Sequence, residues 1–455
     1  MKAIFLLADT YRRDHIGAYG NKWIRTPNLN RLASMSNVFD YCYVCSFPTL
    51  PNRRDIHLGV GDHGQAFNPW KGIDNDEIPV AQRLGEKGIH SMLITDVANN
   101  VTRGRNFYKG FSAYRVNRGQ EGDPYWSDAT VPLQFPVEPH LIRYPAGRWQ
   151  QILVNRAHRR VEEDWFAPAT YKLGCEWLER NWKRDNFILW LETFDPHEPW
   201  DPPQWHIDLY DPGYQGRVFD GPSYGFYREM GITEREMRHT HARYAGECTM
   251  VDSALGRLLR KLEELRLLDE VAIFFTSDHG AYFGLEGDAG LVCKPHFVGE
   301  DGAVHLAGGP LRGKPRFFPL RTGTMRIPLF LHLPGQTKQR RFRPIVQPFD
   351  LTPTILEWFG LKSPKEFTGE SLLPLIRGKK MTPRLCAFNG ASHGLRQAIN
   401  RDWIYATWLG GEREPWLIDL KNNPKQDKNA AKKHPDVCRK LRAALAKFDP
   451  DVQLA

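Results

Sequence analysis

Residues 1–10 read MKAIFLLADT, a short apolar run, Ala3–Ala8, that is followed at once by Asp9. The run is short and does not alternate between apolar and polar residues, which is typical of a strand buried on both faces of a sheet. Two further runs have the same character, Phe187–Thr193 and Val271–Thr276. Strands of this kind indicate a largely parallel central sheet.

Helical patterns lie between these strands. Residues 79–87 have a helical pattern that ends at Gly88, and Ser91–Thr95 then resembles a strand. The long amphipathic segment Tyr244–Leu265 precedes Val271–Thr276 in the same way. Alternation of strands and helices predicts an α/β fold, with a large, mostly parallel central sheet flanked by helices.

The pattern changes after Pro344. Residues 350–360 predict a helix with a terminal glycine, and three short segments (395–398, 403–408 and 416–419) are typical of antiparallel strands. We therefore divide the chain into a main α/β domain, residues 1–344, and a small C-terminal α+β subdomain that carries an antiparallel sheet, residues 345–455.

The amino-acid composition limits the kinds of molecule that this protein is expected to bind. Hydrophobic residues make up 41% and charged residues 25% of the 455, and the formal net charge is +9. The basic residues are scattered, which argues against a nucleic-acid arm and leaves a solvated surface or a small anionic substrate. No apolar stretch is long enough to cross a membrane, and the seven cysteines are odd in number, so we expect a cytoplasmic protein with reduced thiols. The sequence does not decide whether the protein forms a homo-oligomer.

Three residues that can ligate a metal follow buried strands. Asp9 follows the first strand, and Asp278 and His279 follow Val271–Thr276. Ligands of parallel sheets lie at the carboxyl ends of strands, and two carboxylates with an imidazole suit a divalent metal. The alternative for each residue alone is a turn or a helix cap.

Thr49 is the candidate nucleophile. It lies between two prolines just before a predicted helix start, where developing negative charge is stabilised. A threonine hydroxyl needs a metal to attack at neutral pH. Arg53, one turn further on, is expected to steady an alkoxide or an anionic ester. The alternative for Thr49 is a local cap of the helix.

Two further residues are catalytic candidates. His197 follows a strand in a proline-rich loop, where it could bind an anionic oxygen or protonate a leaving oxygen. Lys294 could supply a fixed positive charge. The alternative for a single lysine is a solvated side chain.

Together these pieces, in this order, resemble the sulfatase family of the alkaline-phosphatase superfamily over essentially the whole chain. The motif beginning at Thr49 lies over the family's C/S-x-P-S-R-x-x-x-x-T-G signature. The matching stretches are DTYRRDHIGAYG from Asp9, TPNLNRL from Thr26, TLPNRRDIHLG from Thr49, FDPHEPWDPP from Phe194, FTSDHG from Phe275, MRIPL from Met325, TGESLLPL from Thr368 and WLIDLKNNP from Trp416.

The residue at the signature position departs from the family. Sulfatases oxidise a Cys or Ser there to formylglycine, whereas oxidation of Thr49 would give a ketone, so this maturation is excluded. Superfamily members that use a threonine, such as nucleotide pyrophosphatase/phosphodiesterases and lipoteichoic-acid transferases, act on phosphorus. The resemblance therefore implies a phosphate mono- or diester or a phosphonate ester as substrate, with a phospho-Thr intermediate.

Two other departures concern the metal and the substrate. Thr10 stands where many sulfatases have a second Asp ligand, which implies one divalent metal, Mn in preference to Zn or Ca, held by Asp9, Asp278, His279 and Thr49. Asn99 or Asn100 occupies the position of a family His at the substrate, and Arg103 or Arg105 is expected to compensate.

Our leading hypothesis is thus a cytoplasmic hydrolase of small anionic phosphoesters, without nucleic-acid or membrane partners. One alternative is a sulfate ester hydrolase that uses unmodified Thr49. The other is a degenerate member that binds an anion without turnover, which the change at residues 99–100 would permit.

Overall fold

The computed structural model describes residues 1–61, 70–102, 104–304, 313–411 and 413–453. The strands are β1 Lys2–Ala8, β2 Asn37–Tyr43, β3 His90–Thr95, β4 Ala113–Val116, β5 Phe187–Thr193, β6 Tyr224–Phe226, β7 Val271–Thr276, β8 Tyr282–Phe283, β9 Leu291–Cys293, β10 Phe297–Val298, β11 Ala303–Val304, β12 Arg316–Phe317, β13 Arg326–Ile327, β14 Leu329–His332, β15 Arg340–Val346, β16 Ala387–Gly390, β17 Leu395–Ile399, β18 Trp403–Trp408 and β19 Trp416–Asp419. The α-helices are α1 Pro27–Ser34, α2 Thr49–Leu58, α3 Val80–Gly85, α4 Ala146–Arg156, α5 Phe166–Asn181, α6 Gln204–Ile207, α7 Glu234–Glu264, α8 Thr322–Met325, α9 Leu351–Trp358, α10 Leu373–Ile376 and α11 Pro435–Phe448.

A nine-stranded sheet forms the centre of the molecule. From one edge the order is β4-β3-β5-β1-β7-β14-β2, and β13 and β15 also pair with β2. Strand β1 runs parallel to both β5 and β7, whereas β14 is antiparallel to β7 and β2. The prediction of an α/β fold with a large, mostly parallel sheet is confirmed.

The register of the central strands decides where the site forms. In β1, Leu7 pairs with Thr276 of β7, and Ala8 pairs with Thr193 of β5. Asp9 and Asp278 therefore each follow the Leu7–Thr276 pair by two residues, at the same edge of the sheet. The apolar character of β1 follows from its central place, because helices cover both faces of a parallel sheet.

Helix α7 is longer than the sequence pattern predicted. It begins at Glu234, ten residues before the expected start, and Thr233 and Glu236 form a capping box there. The early part of the helix buries polar side chains, among them His239 and Arg243. An apolar stripe does not reveal such a segment, so the prediction was too short at this end.

The C-terminal part of the chain contains the predicted antiparallel sheet, in the order β16-β17-β18-β19, and α11 packs against it. The predicted boundary between residues 344 and 345 falls inside β15, which pairs with β2. One hydrophobic cluster also joins the two parts, from Phe39 of β2 to Ile355 of α9 and Trp408 of β18. The C-terminal elements therefore share a core with the central sheet.

Within the described ranges, no helix combines the length and the apolar character that a membrane crossing requires. No disulfide links the cysteines in that part of the chain.

Candidate active site

Asp9, Asp278 and His279 meet at the carboxyl edge of the central sheet. One ligand atom from each lies within 4.8 Å of the other two, and all three side chains are completely buried. Asp9 follows β1, whereas the other two follow the neighbouring strand β7. The parallel register therefore forms the cluster that the sequence proposed.

The ring of His279 is oriented as a ligand would be. Its Nδ1 lies 3.0 Å from the carbonyl oxygen of Gly280, to which it donates. Its Nε2 therefore carries a lone pair, and it lies 3.2 Å from Thr49 Oγ1 and 3.5 Å from Asp278 Oδ2. Burial lowers the pKa of His279 to about 4, so the imidazole is neutral. A neutral ring with Nδ1 hydrogen-bonded is the usual state of a metal-bound histidine.

The electrostatics of the cluster also fit a cation. Burial, and then the neighbouring charge on Asp278, raise the pKa of Asp9 well above its ordinary value. Burial opposes ionisation of Asp278 as well, but His279 and Arg53 outweigh it and hold the pKa of Asp278 low. Two buried carboxylates, a neutral imidazole and a hydroxyl are together a suitable donor set for a divalent metal ion.

Arg53 lies beneath these carboxylates. Its Nη1 donates to Asp278 Oδ2 at 2.7 Å, its Nη2 to Asp9 Oδ2 at 3.2 Å, and its Nε to Glu192 Oε2 at 3.0 Å. Its side chain is completely buried. The sequence hypothesis placed Arg53 at the substrate anion, whereas its donors in the structure face carboxylates. Sequence reasoning missed Glu192, although a glutamate within the apolar run of β5 is unusual enough to have been noticed.

Thr49 is the first residue of α2, so its hydroxyl lies at the positive end of a helix. It is 8% exposed, and it lines a cavity of about 220 Å³. The cavity therefore gives a ligand access to Thr49.

His197 and Lys294 line the same cavity. His197 Nδ1 donates to the carbonyl oxygen of Glu198, and burial lowers the pKa of His197 well below its ordinary value. Lys294 Nζ lies 3.4 Å from Thr10 Oγ1 and 3.7 Å from Glu198 Oε2. The structure thus brings both predicted residues to Thr49, and it adds Glu198, which sequence reasoning missed.

The two asparagines have different places. Asn99 lines the cavity and accepts a hydrogen bond from Arg105 through its side-chain oxygen. Asn100 is completely buried and donates to Glu192 Oε2, away from the cavity. Arg105 lines a neighbouring cavity, and Arg103 lies outside the described residues. Of the two candidates for the position of the family histidine, Asn99 is the one that faces a ligand space.

A second cavity of about 860 Å³ adjoins the first. The two share the side chains of Trp70, Asn99, Glu121, Arg148 and Phe194 as lining. Sequence reasoning missed most of these residues, because they come from loops with no recognisable motif. The arrangement provides a small chamber at Thr49 that opens into a larger space.

The fold and the site together define an ester hydrolase of the alkaline-phosphatase superfamily. A family model described as Sulfatase matches residues 2–361, and the chain belongs to that family.

Similar proteins agree with this assignment. An arylsulfatase of Clostridium perfringens is 22% identical over 93% of this chain and 88% of its own length. The structure of a phosphonate monoester hydrolase of Agrobacterium radiobacter superposes with a TM-score of 0.72 at 18% identity, covering 99% of this chain and 96% of that one. A phosphonate monoester hydrolase from Silicibacter pomeroyi gives 0.68 at 16% identity, covering 98% and 94%. These structural likenesses concern the fold.

Proposed function

We propose that the protein hydrolyses phosphate mono- or diesters or phosphonate esters, with unmodified Thr49 as the nucleophile. The observation that carries the proposal is the position of Thr49 Oγ1. It lies in a ligand-sized cavity at the start of α2, 3.2 Å from the ligand nitrogen of His279. A hydroxyl placed in this way is suited to attack an ester phosphorus.

One divalent metal ion would be held by Asp9, Asp278, His279 and Thr49. We propose Mn, because a mixed set of nitrogen and oxygen donors suits Mn or Zn better than Ca. When bound, such an ion lowers the pKa of a ligated hydroxyl and polarises the ester. Arg53 holds the two carboxylates in position rather than contacting the substrate.

In the first step, Thr49 Oγ1 bonds to phosphorus while the ester P–O bond breaks, and the proton that Thr49 gives up passes through solvent to the leaving oxygen, so that the alcohol departs. The α2 N-terminus and Lys294 stabilise the negative charge on the phosphoryl oxygens. In the second step, water displaces Thr49 from phosphorus, and Thr49 Oγ1 takes up the proton that the water loses. The neutral ring of His197, with its proton on Nδ1, is suited to accept a proton from that water. It is less suited to its other candidate role, protonating the leaving oxygen.

The first prediction concerns the Thr49→Ala variant. It is expected to lose nearly all turnover of p-nitrophenyl phosphate, bis(p-nitrophenyl) phosphate and p-nitrophenyl phenylphosphonate, because the nucleophile is removed, while it retains its metal content, because Asp9, Asp278 and His279 remain as ligands. Steady-state rates and elemental analysis measure the two properties. Thr49→Ser, which keeps the hydroxyl, is the matched control.

Acid quenching of the parent during turnover should preserve a phosphorylated peptide that contains Thr49. Full activity of Thr49→Ala would exclude the mechanism.

The second candidate function is hydrolysis of sulfate esters by the same hydroxyl, and it is favoured by the sulfatase names of the sequence relatives. Parallel assays on p-nitrophenyl sulfate and the three phosphorus esters decide between the two. A value of kcat/KM that is highest for the sulfate ester would support this candidate over the phosphoester hydrolase.

A further inference from the structure

Glu121 is a carboxylate that lines both cavities of an anion-binding site. It is 8% exposed, and its backbone has a φ of 53°. This left-handed conformation is uncommon for residues other than glycine and costs about 1–3 kcal/mol. The surrounding structure therefore holds the side chain of Glu121 in the cavity against a local preference of the backbone.

Two arginines hold this carboxylate. Arg148 Nη2 donates to Glu121 Oε2, and Arg143 Nη2 lies 3.8 Å from Oε1. The next residue, Gly122, makes the first contact possible, because a Cβ there would lie 2.4 Å from Arg148 Cγ. The position of the carboxylate is thus fixed by packing as well as by charge.

The described residues of the reaction cavity nearly balance in charge. The cationic groups that line it are Arg143, Arg148 and Lys294. Glu121 is the carboxylate in the lining, and Glu198 lies behind it as the partner of two of the cations, bonded to Arg143 and 3.7 Å from Lys294. The histidines add no charge, since burial lowers the pKa of each, that of His296 to about 3. Three cations against two carboxylates leave one net positive charge.

The residues around the proposed metal position would add no net charge once a divalent cation is bound. The carboxylates of Asp9, Asp278 and Glu192 face the single guanidinium of Arg53. The remaining two negative charges equal the charge of one divalent cation. Counted over the described residues, a site with one divalent cation bound would therefore offer one net positive charge to its substrate.

We propose that Glu121 makes the site selective for singly charged esters and disfavours dianionic phosphate monoesters. This inference rests on the proposed function and narrows its substrate class to phosphate diesters and phosphonate monoesters. Sulfate esters, which carry one charge, meet the same condition. A second negative charge on the phosphoryl group would lie unpaired beside the carboxylate of Glu121, where repulsion is weakly screened.

The test compares two substrates with the same leaving group, p-nitrophenyl phosphate and bis(p-nitrophenyl) phosphate. The assay pH is kept above the second pKa of the monoester, about 6, so that the monoester is a dianion. In Glu121→Gln, the ratio of kcat/KM for the monoester to that for the diester is expected to rise about tenfold, as one unit charge at several ångströms would produce. Calorimetry should also show tighter binding of inorganic phosphate, which does not depend on turnover.

Two control variants should keep the ratio of the parent. Glu121→Asp retains the charge. Glu138→Gln removes a carboxylate that also pairs with an arginine, Arg217, but lies outside both cavities. The inference would be overturned if the monoester-to-diester ratio of kcat/KM in Glu121→Gln stayed within about twofold of the parent ratio. If that variant has lost its turnover, phosphate binding equal to that of the parent would overturn the inference. Activity remaining in Thr49→Ala would instead overturn the proposed function, so the two failures are distinguishable.

Discussion

Arg53 and Glu192 form a buried ion pair directly behind the proposed metal ligands Asp9 and Asp278. Burial alone would raise the pKa of Glu192, but the charge on Arg53 outweighs this effect and lowers the pKa to about 2. Trp190 Nε1 and Asn100 Nδ2 also donate to this carboxylate. The ionised Glu192 offsets the guanidinium, which would otherwise compete with a metal ion for Asp9 and Asp278.

A substitution at Glu192 should therefore weaken metal binding. We expect Glu192→Gln to bind Mn about tenfold more weakly, in the range typical for residues that support metal ligands. Titration calorimetry on the metal-free protein measures this directly.

The control for this prediction is Glu247→Gln. Glu247 is also a buried carboxyl group, but it accepts a hydrogen bond from the backbone of Asp201 instead of pairing with Arg53. Equal Mn affinity in the Glu192 variant and the parent would show that the ion pair serves only the fold.

At the scale of elements, the site depends on how closely the loop after β7 approaches α8. Gly280 N donates to the carbonyl oxygen of Thr324 at 2.9 Å, which holds the backbone next to His279. A Cβ at Gly280 would lie 2.1 Å from the carbonyl oxygen of Gly323. Only glycine fits there without a shift of the backbone, and His279 would move with that shift.

We expect Gly280→Ala to lower both Mn affinity and kcat, because a shift of His279 moves a ligand nitrogen and the partner of Thr49. Gly85→Ala is the matched control, since a Cβ there meets only the carbonyl oxygen of Gly110, at 3.7 Å. Gly85 ends α3, where alanine is tolerated or slightly stabilising. Unchanged Mn binding in Gly280→Ala would contradict the role of this close approach.

At the scale of the whole molecule, the cavity at Thr49 draws residues from distant parts of the chain. Thr49 itself lies near the N-terminus of the chain, whereas Ser392 and His393 come from the C-terminal part. The shared core and the pairing of β15 with β2 hold these parts together. Stability of the site and stability of the fold are therefore linked.

Removal of the metal should accordingly destabilise the whole protein. Without a metal ion, Arg53 offsets only part of the repulsion between the buried carboxylates of Asp9 and Asp278. We expect EDTA to lower the melting temperature and added Mn to restore it, with a gain of about 2.7 kcal/mol when free Mn exceeds its Kd by about 100-fold. Scanning calorimetry with Mn, Zn and Ca in parallel ranks the metals. The same melting temperature with and without each metal would contradict the metal site.

The central strands could be predicted from the sequence, because apolar runs such as Ala3–Ala8 and Val271–Thr276 leave few alternatives to a buried parallel sheet. The sequence also determined the candidates Asp9, Asp278 and His279, since parallel strands place their carboxyl ends at one edge. Thr49 was identifiable from its place before a helix and from the departure from the sulfatase signature.

The sequence could not show which side chains line the cavity and which lie behind it, because this depends on the packing of the folded chain. In the folded chain, Arg53 and Asn100 donate hydrogen bonds to Glu192, whereas Asn99 lines the cavity. Glu121 likewise lines the cavity that Thr49 lines. Such placements depend on packing between loops that are far apart in the chain, and neither periodicity nor a motif carries that information.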